Sequence, residues 1–576
     1  MPKQRSDSLE QIRQNGAFDV VVVGGGINGI GVFRELALQG LRVLLVERND
    51  FCSGCSAAPS RMIHGGLRYL ENGEFDLVQE SLRERDALLH NAPHFVRPLP
   101  TVIPIASIFS GLLNGAAGFL GLSSKPARRG ALPIKIGLVL YDFVTRRRRL
   151  LPRHGFQGKD ETFRRWPNLT RSLKFSATYH DAWISYPERL GVELVIDAMR
   201  LAPESVAVNY CEIRMEGSAF SLTDTQSGER LPISCKTIVN ATGAWLNEAI
   251  REFSGDQKPA ETLVSGTKGS HIILDNQALF KALGGYMVFF ENIDGRVCIV
   301  FPYLGKVLAG STDIRVDSVE RVRCEPEEQD YILQSLKLTF PEIAVSDDDV
   351  VFSYSGIRPL PKSDHKFTGR ITRGHFIHRL EGPVPQFCMV GGKWTTFRAF
   401  AEQTADAVML ELGHERKTTT LHLPIGGGAG YPADPQDLVR RLAERYAVGP
   451  DRAAYLVDAY GTRADDVLSF CAGCDHDDGL VSSALMTNGE IRFLIRHEVV
   501  VRLSDIVLRR TGLAITGEIS SDLITAIAEV AADELGWDAA RTQQETDAFI
   551  KELNTFYGVS PETLEQRSLE RNTKCA

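Results

Sequence analysis

The chain has 576 residues, of which 24% are charged and 43% hydrophobic, and its formal net charge is −8. This length supplies enough residues for a large core and for two or three domains. The composition is that of a globular protein, and the negative net charge argues against a general role in binding nucleic acid.

The first residues of the chain give an expectation about location. Residues 1–17 are polar, mix basic and acidic side chains, and lack the apolar core of a signal peptide. We therefore expect the protein in the cytoplasm or on the cytoplasmic face of the inner (plasma) membrane.

The stretch 18–47 predicts a nucleotide-binding βαβ unit. A β-branched run over 20–23 indicates a buried strand, and apolar residues at helical spacing follow over 30–38. A second apolar strand then ends at Glu47. The unit opens the fold, which favours FAD over NAD, although the motif alone does not separate the two.

Glycines between the first strand and the helix form the pattern G-x-G-x-x-G. Gly24 allows a tight turn, Gly26 lets the backbone approach a pyrophosphate, and Gly29 lets the helix pack on the strand. Glu47 is placed to accept the hydroxyls of an adenosine ribose. The predicted pyrophosphate site also includes the two residues between the last glycines, Ile27 and Asn28.

The loop after Glu47 carries further candidate cofactor residues. Small hydroxyl donors suit phosphate or flavin edges, basic side chains suit an anion, and a glycine pair permits close approach of a flat ring. The alternative is a solvated basic loop. The candidate cofactor residues are Arg48, Ser56, Ser60, Arg61, His64, Gly65 and Gly66, and Arg68 belongs to the same basic cluster.

Several motifs in one order resemble those of FAD-dependent glycerol-3-phosphate dehydrogenases, respiratory enzymes of the D-amino-acid-oxidase-like superfamily. They are SRMIHGGLRYLENGEFDLVQESLRERDALLHNAPH (60–94), NATGAW (240–245), KGSHIIL (268–274), AGSTDI (309–314), YSGIRPL (354–360) and GGKWTTFRAFAEQTAD (391–406). The resemblance implies an α/β fold with an FAD-binding Rossmann-like domain, an antiparallel-sheet substrate domain and a C-terminal helical cap domain.

Domain boundaries follow from the resemblance and from composition. We expect a discontinuous FAD-binding domain over 18–105, 155–255 and 350–410, and a substrate domain over 256–349. Helical spacing predicts the C-terminal helical domain over 425–576. Its first residues are rich in glycine and proline, which is typical of a linker.

The segment 106–154 departs from the commoner, shorter family pattern. An apolar helical face over 105–120 precedes a run of basic residues over 125–149. This pattern favours an interfacial membrane helix attracted to anionic lipid. The alternative is a core helix followed by a basic loop.

The resemblance also assigns the substrate site and more of the cofactor site. Its substrate positions are Arg68, Tyr69, His271, Arg358, Lys393 and Thr396, and its further cofactor positions are Thr242, Gly243, Gly356, Gly392, Lys393, Trp394 and Thr395. Arginine suits bidentate phosphate binding and lysine a point contact. His64 and His271 are the candidate bases, because imidazole titrates near neutrality. We predict no metal site: the CxxC pairs, Cys52–Cys55 and Cys471–Cys474, lie far apart in the sequence.

The expected activity is oxidation of sn-glycerol 3-phosphate to dihydroxyacetone phosphate by hydride transfer to flavin N5, with electrons passing to a membrane quinone. Three alternatives stay open: another polyol phosphate such as erythritol 4-phosphate, an oxidase that reduces oxygen, and a binding subunit without turnover. Arg61, Trp394 and Phe397, which differ from the residues common in the family, leave the substrate open. The expected partners are a polyol phosphate, a quinone and inner-membrane lipid, and a homodimer is left open.

Overall fold

The computed structural model describes residues 5–66, 74–107, 131–145, 150–216, 219–253, 262–363, 371–382, 384–475, 477–481, 483 and 485–575. Within them, the chain's first two thirds form two β-sheets, and helices make up most of the last third. The strands are β1 Ala17–Val23, β2 Val43–Val46, β3 Met62–Ile63, β4 Val96–Ile105, β5 Gly155–Gly158, β6 Phe175–Ile184, β7 Val206–Val208, β8 Cys211–Glu216, β9 Ala219–Asp224, β10 Arg230–Asn240, β11 Val264–Leu274, β12 Met287–Glu291, β13 Val297–Tyr303, β14 Lys306–Gly310, β15 Ile314–Val316, β16 Val350–Pro361, β17 His375–Leu380 and β18 Gln386–Gly391.

The α-helices are distributed between and after these strands. They are α1 Arg5–Gln14, α2 Ile27–Leu38, α3 Phe75–Asn91, α4 Ala131–Thr145, α5 Lys159–Arg165, α6 Pro187–Leu201, α7 Leu246–Phe253, α8 Gln277–Leu283, α9 Pro326–Thr339, α10 Phe397–Leu412, α11 Pro435–Tyr446, α12 Pro450–Tyr460, α13 Ala464–Ala472, α14 Asn488–His497, α15 Leu503–Asp505, α16 Ser521–Leu535, α17 Ala539–Tyr557 and α18 Pro561–Cys575. A π-helical turn, Ile506–Arg510, continues α15.

The first sheet has the order β17-β18-β10-β1-β2-β7, and the β8–β9 hairpin extends from β10. The strands from β18 to β7 pair in parallel, and β17 joins the edge antiparallel. Alternate residues of β1 face opposite cores: Val20 and Val22 pack with α2, α6 and α10, whereas Val21 packs with α1 and α7. The predicted Rossmann-like unit is therefore confirmed, since a parallel sheet needs helices on both faces.

The second sheet has the order β15-β11-β14-β13-β12-β4-β6-β3, with β16 beside β11 and β5 beside β6. It is antiparallel except where β12 pairs with β4. In β13, Cys298 and Val300 pack against α8 and α9, whereas Ile299 and Phe301 pack against the C-terminal helices. The helical C-terminal domain thus covers the other face of this sheet, as the predicted architecture requires.

Sheet pairing differs from the expected domain boundaries. Strands β3 and β4, expected within 18–105, and β5 and β6, expected within 155–255, all pair in the second sheet. Strand β16, expected in the FAD-binding domain, pairs along its length with β11. Only tertiary pairing decides this, because a strand's sequence pattern shows its burial and not its partner.

The glycine-rich start of the C-terminal domain is packed, unlike the exposed linker that its composition indicates. Gly427 and Gly428 are buried. The amide of Gly426 donates to Asp197 at 2.7 Å and that of Gly427 to Glu193 at 3.2 Å. Buried carboxylates of α6 therefore fix the path of this segment.

The expected insertion is described only in part, because 108–130 and 146–149 lie outside the described residues. Helix α4 within it buries Ile134, Leu138 and Tyr141 against β4 and β6. Among the helices that the structure describes, none combines the length and apolar character needed to span a bilayer.

Candidate active site

The glycine turn between β1 and α2 is tight at two glycines and open at the third. Gly24 has φ +107°, and a Cβ there would lie 2.6 Å from the carbonyl oxygen of Ala241. A Cβ on Gly29 would lie 2.0 Å from the carbonyl oxygen of Gly24, whereas one on Gly26 would meet only Ser56 Oγ, at 3.2 Å. The N-terminus of α2 therefore has space in front of Gly26, where a pyrophosphate approaches in such folds.

Glu47 lies beside the same turn. Its Oε2 accepts a hydrogen bond from the Gly25 amide at 2.7 Å, and its Oε1 accepts one from the Asn49 amide at 2.8 Å. Burial raises the pKa of the Glu47 carboxyl. The neighbouring Arg48 guanidinium lies over the Trp245 ring, 4.6 Å from its centroid. The predicted ribose carboxylate is thus anchored to the turn that would bind the pyrophosphate.

Four separate segments meet at the N-terminus of α2. The Ile27 amide donates to Ser56 Oγ at 3.0 Å, and Asn28 Nδ2 donates to the Gly391 carbonyl at 3.3 Å. Trp394 Nε1 donates to the Ser56 carbonyl at 3.1 Å. The amide of His64 donates to Thr395 Oγ1 at 3.2 Å. The structure therefore brings together the predicted cofactor residues of 26–28, 56, 64 and 391–395.

This convergence leaves polar atoms available to a cofactor. Asn28 Oδ1 and Thr396 Oγ1 are buried and find no hydrogen-bond partner among the described residues. Gly391 and Gly392 have φ of +81° and +95°, and a Cβ on Gly392 would lie 2.5 Å from Asn28 Nδ2. Unpaired buried polar atoms are costly, so this cleft suits a ligand rich in donors and acceptors. FAD is such a ligand.

Two further predicted cofactor positions lie in the ATG turn, and a third, Gly356, lies on β16. Thr242 donates from its amide and Oγ1 to Asn240 Oδ1, at 3.3 and 2.7 Å, and Gly243 follows with φ +62°. A Cβ on Gly356 would lie 2.7 Å from the Ala58 Cβ. Gly243 is therefore required by its positive φ, whereas Gly356 is required by the close approach of Ala58.

Two residues of the predicted basic loop are held by buried acids. Arg61 is buried, pairs with Glu188 at 2.9 Å and lies over the Tyr303 ring. The Gly65 amide donates to Asp181 Oδ1 at 3.0 Å, and Gly66 has φ +77°. The side chain of Arg61 thus faces a carboxylate in the core, and the solvated-loop alternative does not describe it.

His271 lies on β11 with its ring completely buried. Its Nε2 is 2.8 Å from Ser60 Oγ, and the ring stacks on Tyr354 with centroids 5.0 Å apart. Its Nδ1 has no hydrogen-bond partner in the described part of the chain. Burial, with the charges of Arg358 and Arg61, lowers the pKa of His271 well below its usual value. The imidazole is therefore neutral at pH 7, and the same effects make it a weaker base than an ordinary histidine.

Arg358 on β16 belongs to a cluster that the sequence only partly revealed. Asp313 bridges two guanidiniums, with Oδ1 3.1 Å from Arg358 and Oδ2 3.7 Å from Arg373. A Cβ on Gly269, paired opposite Gly356, would lie 1.9 Å from Arg358 Nη2. Sequence reasoning missed Arg373. Its one signal was its position just before β17, the strand that pairs with the one ending in Gly391.

Lys393 is anchored to α3. Its Nζ donates to Ser81 Oγ at 2.8 Å. Burial lowers the pKa of Lys393 to about 7, against the raising effect of Glu80 and Glu74, and the charge of Arg373 adds to the lowering. Lys393 and Arg373 are thus close enough to interact electrostatically. Two predicted substrate residues, Arg68 and Tyr69, lie outside the described residues.

The chain is similar to known proteins along most of its length. The family model described as "FAD dependent oxidoreductase" matches residues 19–407, and the one described as "C-terminal domain of alpha-glycerophosphate oxidase" matches residues 418–542. A glycerol-3-phosphate dehydrogenase of Synechocystis is 33% identical over 568 residues, covering 94% of this chain and 97% of that protein.

Two further proteins are similar over most of the chain. D-erythritol 1-phosphate dehydrogenase of Brucella abortus is 30% identical over 501 residues, covering 86% of this chain and 94% of that protein. The X-ray structure of glycerol-3-phosphate dehydrogenase from Bacillus halodurans complexed with FAD superposes with a TM-score of 0.75 at 23% identity, covering 97% and 98% of the two chains. The chain therefore belongs to the FAD-dependent oxidoreductases and, within them, to the glycerol-3-phosphate dehydrogenase family, and its cofactor is FAD.

Proposed function

We propose that this enzyme oxidises sn-glycerol 3-phosphate to dihydroxyacetone phosphate and passes the electrons to a membrane quinone. The observation that carries the proposal is the group of cations around one cleft. Arg358 and Arg373 both form ion pairs with Asp313. The charge of Arg373 lowers the pKa of Lys393, and the charge of Arg358 lowers the pKa of His271. A phosphate dianion would neutralise these cations, and the neutral imidazole of His271 is close enough to feel the charge of Arg358.

Each predicted site residue has its own role in the reaction. Arg358 and Lys393 bind the phosphate, and Arg68, Tyr69 and Thr396 complete the substrate contacts. His271 or His64 takes the proton of the C2 hydroxyl as the hydride leaves the same carbon. FAD, when bound, supplies the hydride acceptor at N5. Because His271 is neutral, it needs no prior deprotonation to act as the base.

The second candidate substrate is an erythritol phosphate. It is favoured by the similarity to D-erythritol 1-phosphate dehydrogenase noted above. The same cations would bind its phosphate, and the longer polyol would extend from the same carbinol carbon. An acceptor other than quinone is the other open alternative, because the C-terminal family model takes its description from an oxidase.

For location we propose peripheral attachment to the cytoplasmic face of the inner membrane. Helix α4 supports this: opposite its buried face it exposes Leu132 (39%), Val139 (51%) and Lys135. An apolar stripe beside a cation suits an interfacial helix. The apolar segment 105–120, largely outside the described residues, precedes it in the chain.

An anaerobic flavin-bleaching screen tests the substrate. Holoenzyme is mixed under nitrogen with sn-glycerol 3-phosphate, glycerol, erythritol 1-phosphate or erythritol 4-phosphate, and flavin absorbance is followed. We expect the fastest bleaching with sn-glycerol 3-phosphate and almost none with glycerol. Faster bleaching with an erythritol phosphate would reassign the substrate, and equal rates with glycerol would overturn the phosphate site. Reoxidation of the bleached enzyme by quinone or by oxygen then identifies the acceptor.

A further inference from the structure

The loop that follows β2 is held by ion pairs with the C-terminal domain. Asp50, in the middle of this loop, is completely buried. Its Oδ2 accepts a hydrogen bond from Arg509 Nε at 2.5 Å, and its Oδ1 accepts one from Arg510 Nη2 at 2.9 Å. Asn209 Nδ2 also donates to Oδ1, at 3.0 Å. A buried carboxylate of the FAD-binding sheet is therefore neutralised by two arginines from the far end of the chain.

The same loop shapes the FAD site. Glu47, at its start, accepts from the Gly25 amide, and Cys52, at its end, donates from its amide to the Gly25 carbonyl at 2.9 Å. Both ends of the loop are thus fastened to the glycine turn. Asp50 lies between these two attachments, so a shift of Asp50 moves the ribose carboxylate relative to the pyrophosphate site.

Several residues with strained backbone conformations lie at the junction, that is, where the loop after β2 contacts the C-terminal domain. Cys52, Tyr210 and Val499 have φ of 58°, 53° and 54°, a region that side-chain-bearing residues seldom occupy. The Val499 carbonyl accepts from Asn209 Nδ2 at 3.0 Å, and Tyr210 Oη donates to Asp505 at 2.6 Å. Such strain persists only where the surroundings hold it, and it is common at ligand clamps.

The ions of the junction form one connected network. Asp505 pairs with Arg509 at 2.6 Å, so Arg509 joins the two aspartates. Burial would raise the pKa of Asp50, but the charges of Arg510 and Arg509 outweigh burial and lower it. Asp50 is therefore ionised, and removing either its charge or an arginine leaves an uncompensated charge in the core.

We propose that Asp50, Arg509 and Arg510 are positioning residues for FAD, through which the C-terminal domain holds the adenosine end of the cofactor site in its binding shape. None of the three needs to touch FAD. The coupling is reciprocal, as linkage requires, so bound FAD also stabilises the docking of the C-terminal domain.

The test is the rate at which holoenzyme releases FAD. Asp50→Asn, which keeps the shape of the side chain, and Arg510→Met are diluted, and the fluorescence of free FAD is followed. We expect release roughly 5- to 150-fold faster than from the wild type, the range of a typical coupling between sites. At the same concentration of added FAD, the melting temperature of each variant should rise less than that of the wild type, because a weaker site is stabilised less by its ligand.

A matched control separates positioning from general stability. Arg97 on β4 pairs with Asp458 on α12 at 2.8 Å and so joins the second sheet to the C-terminal domain through residues outside the Asp50 network. Arg97→Met should retain FAD like the wild type, whatever its melting temperature. The proposal is overturned if folded Asp50→Asn releases FAD at the wild-type rate, or if Arg97→Met releases it as fast as Asp50→Asn. Should Arg510→Met fail to fold, Asp50→Asn decides.

Discussion

At the scale of single residues, the site is defined by charges that the fold leaves only partly neutralised. Asp313 supplies one carboxylate to two guanidiniums, Arg358 and Arg373. Arg358 also lies 3.3 Å from the Thr312 carbonyl and from Ser311 Oγ, which orients its plane. A guanidinium fixed in this way is prepared for bidentate contact with a phosphate.

Replacing Arg358 should therefore weaken transition-state binding strongly. A lost charge-assisted contact costs about 2–3 kcal/mol, so Arg358→Ala is expected to lower kcat/KM for the phosphorylated substrate roughly 30- to 150-fold. Arg296→Ala, which removes an exposed arginine paired with Asp294, is the control and should leave kcat/KM unchanged. Steady-state kinetics decides, and an Arg358→Ala enzyme with wild-type kcat/KM would remove this residue from the site.

Lys393 predicts the pH dependence of substrate binding. Its pKa, about 7 against a usual 10.5, means that the folded protein binds fewer protons than the unfolded chain between those values. This residue's contribution to the free energy of unfolding therefore increases as pH rises from about 7 to about 10.5, and the buried ammonium is unfavourable below that range.

Phosphate binding should follow the opposite trend, because it needs the cation. We expect kcat/KM to fall as pH rises through about 7, by up to tenfold per unit, as Lys393 loses its proton. Lys393→Arg should flatten this limb, since a guanidinium stays charged. Profiles of kcat/KM against pH for both proteins provide the measurement, and identical profiles would show that another group titrates.

At the scale of elements, the turn from β1 to α2 uses different glycines for folding and for cofactor binding. Gly26 caps α2 with φ −77° and ψ 172°, which any residue adopts. Space for a Cβ exists there, unlike at Gly29. A Cβ at Gly26 thus meets one side-chain hydroxyl of the protein, that of Ser56 at 3.2 Å, and the expected pyrophosphate is the main obstacle to a larger residue.

Gly26→Val should accordingly give folded, colourless protein. Gly158→Val is the matched control: Gly158 caps α5 with φ −73° and ψ 175° and has nothing within 4 Å of its Cβ position. Absorbance of the purified proteins and their circular dichroism spectra give the answer. A yellow Gly26→Val protein with stoichiometric FAD would mean that the pyrophosphate lies elsewhere.

At the scale of the whole molecule, α4 links the interior to the surface. Tyr141 on its buried face donates to Asp181 Oδ1 at 2.8 Å, and the same oxygen accepts from the Gly65 amide at 3.0 Å. The exposed face carries Leu132 and Val139. A lipid-contacting surface on α4 would therefore be connected, through Tyr141 and Asp181, to the glycine pair 65–66 that is expected at the flavin.

We predict that this surface binds anionic membranes. Burying its side chains is favourable by ~25 cal/mol per Å² of apolar area, and each nearby cation adds about 1 kcal/mol. Leu132→Asp/Val139→Asp should reduce flotation with anionic liposomes, and salt should weaken flotation of the wild type. Leu410→Asp, at an exposed leucine on α10, is the control. Unchanged flotation of the double variant, with FAD retained, would assign the exposed face of α4 another role.

Features that depend on the local order of residues were predictable from the amino-acid sequence. The β1–α2–β2 unit, with Gly24, Gly26, Gly29 and Glu47, follows from strand burial, helical spacing and the backbone freedom of glycine. The family, the cofactor and the helical character of the C-terminal region were likewise predictable, because ordered motifs and periodicity are properties of the chain itself.

Contacts between residues far apart in the chain were visible only in the folded protein. Pairing of β11 with β16 brings His271 near Arg358, Asp313 adds Arg373, and α3 brings Ser81 to Lys393. Docking of the C-terminal domain likewise places two arginines on Asp50. The physical reason is that ion pairs and strand partners separated by hundreds of residues are selected by packing and desolvation in the folded state, for which spacing along the chain carries no signal.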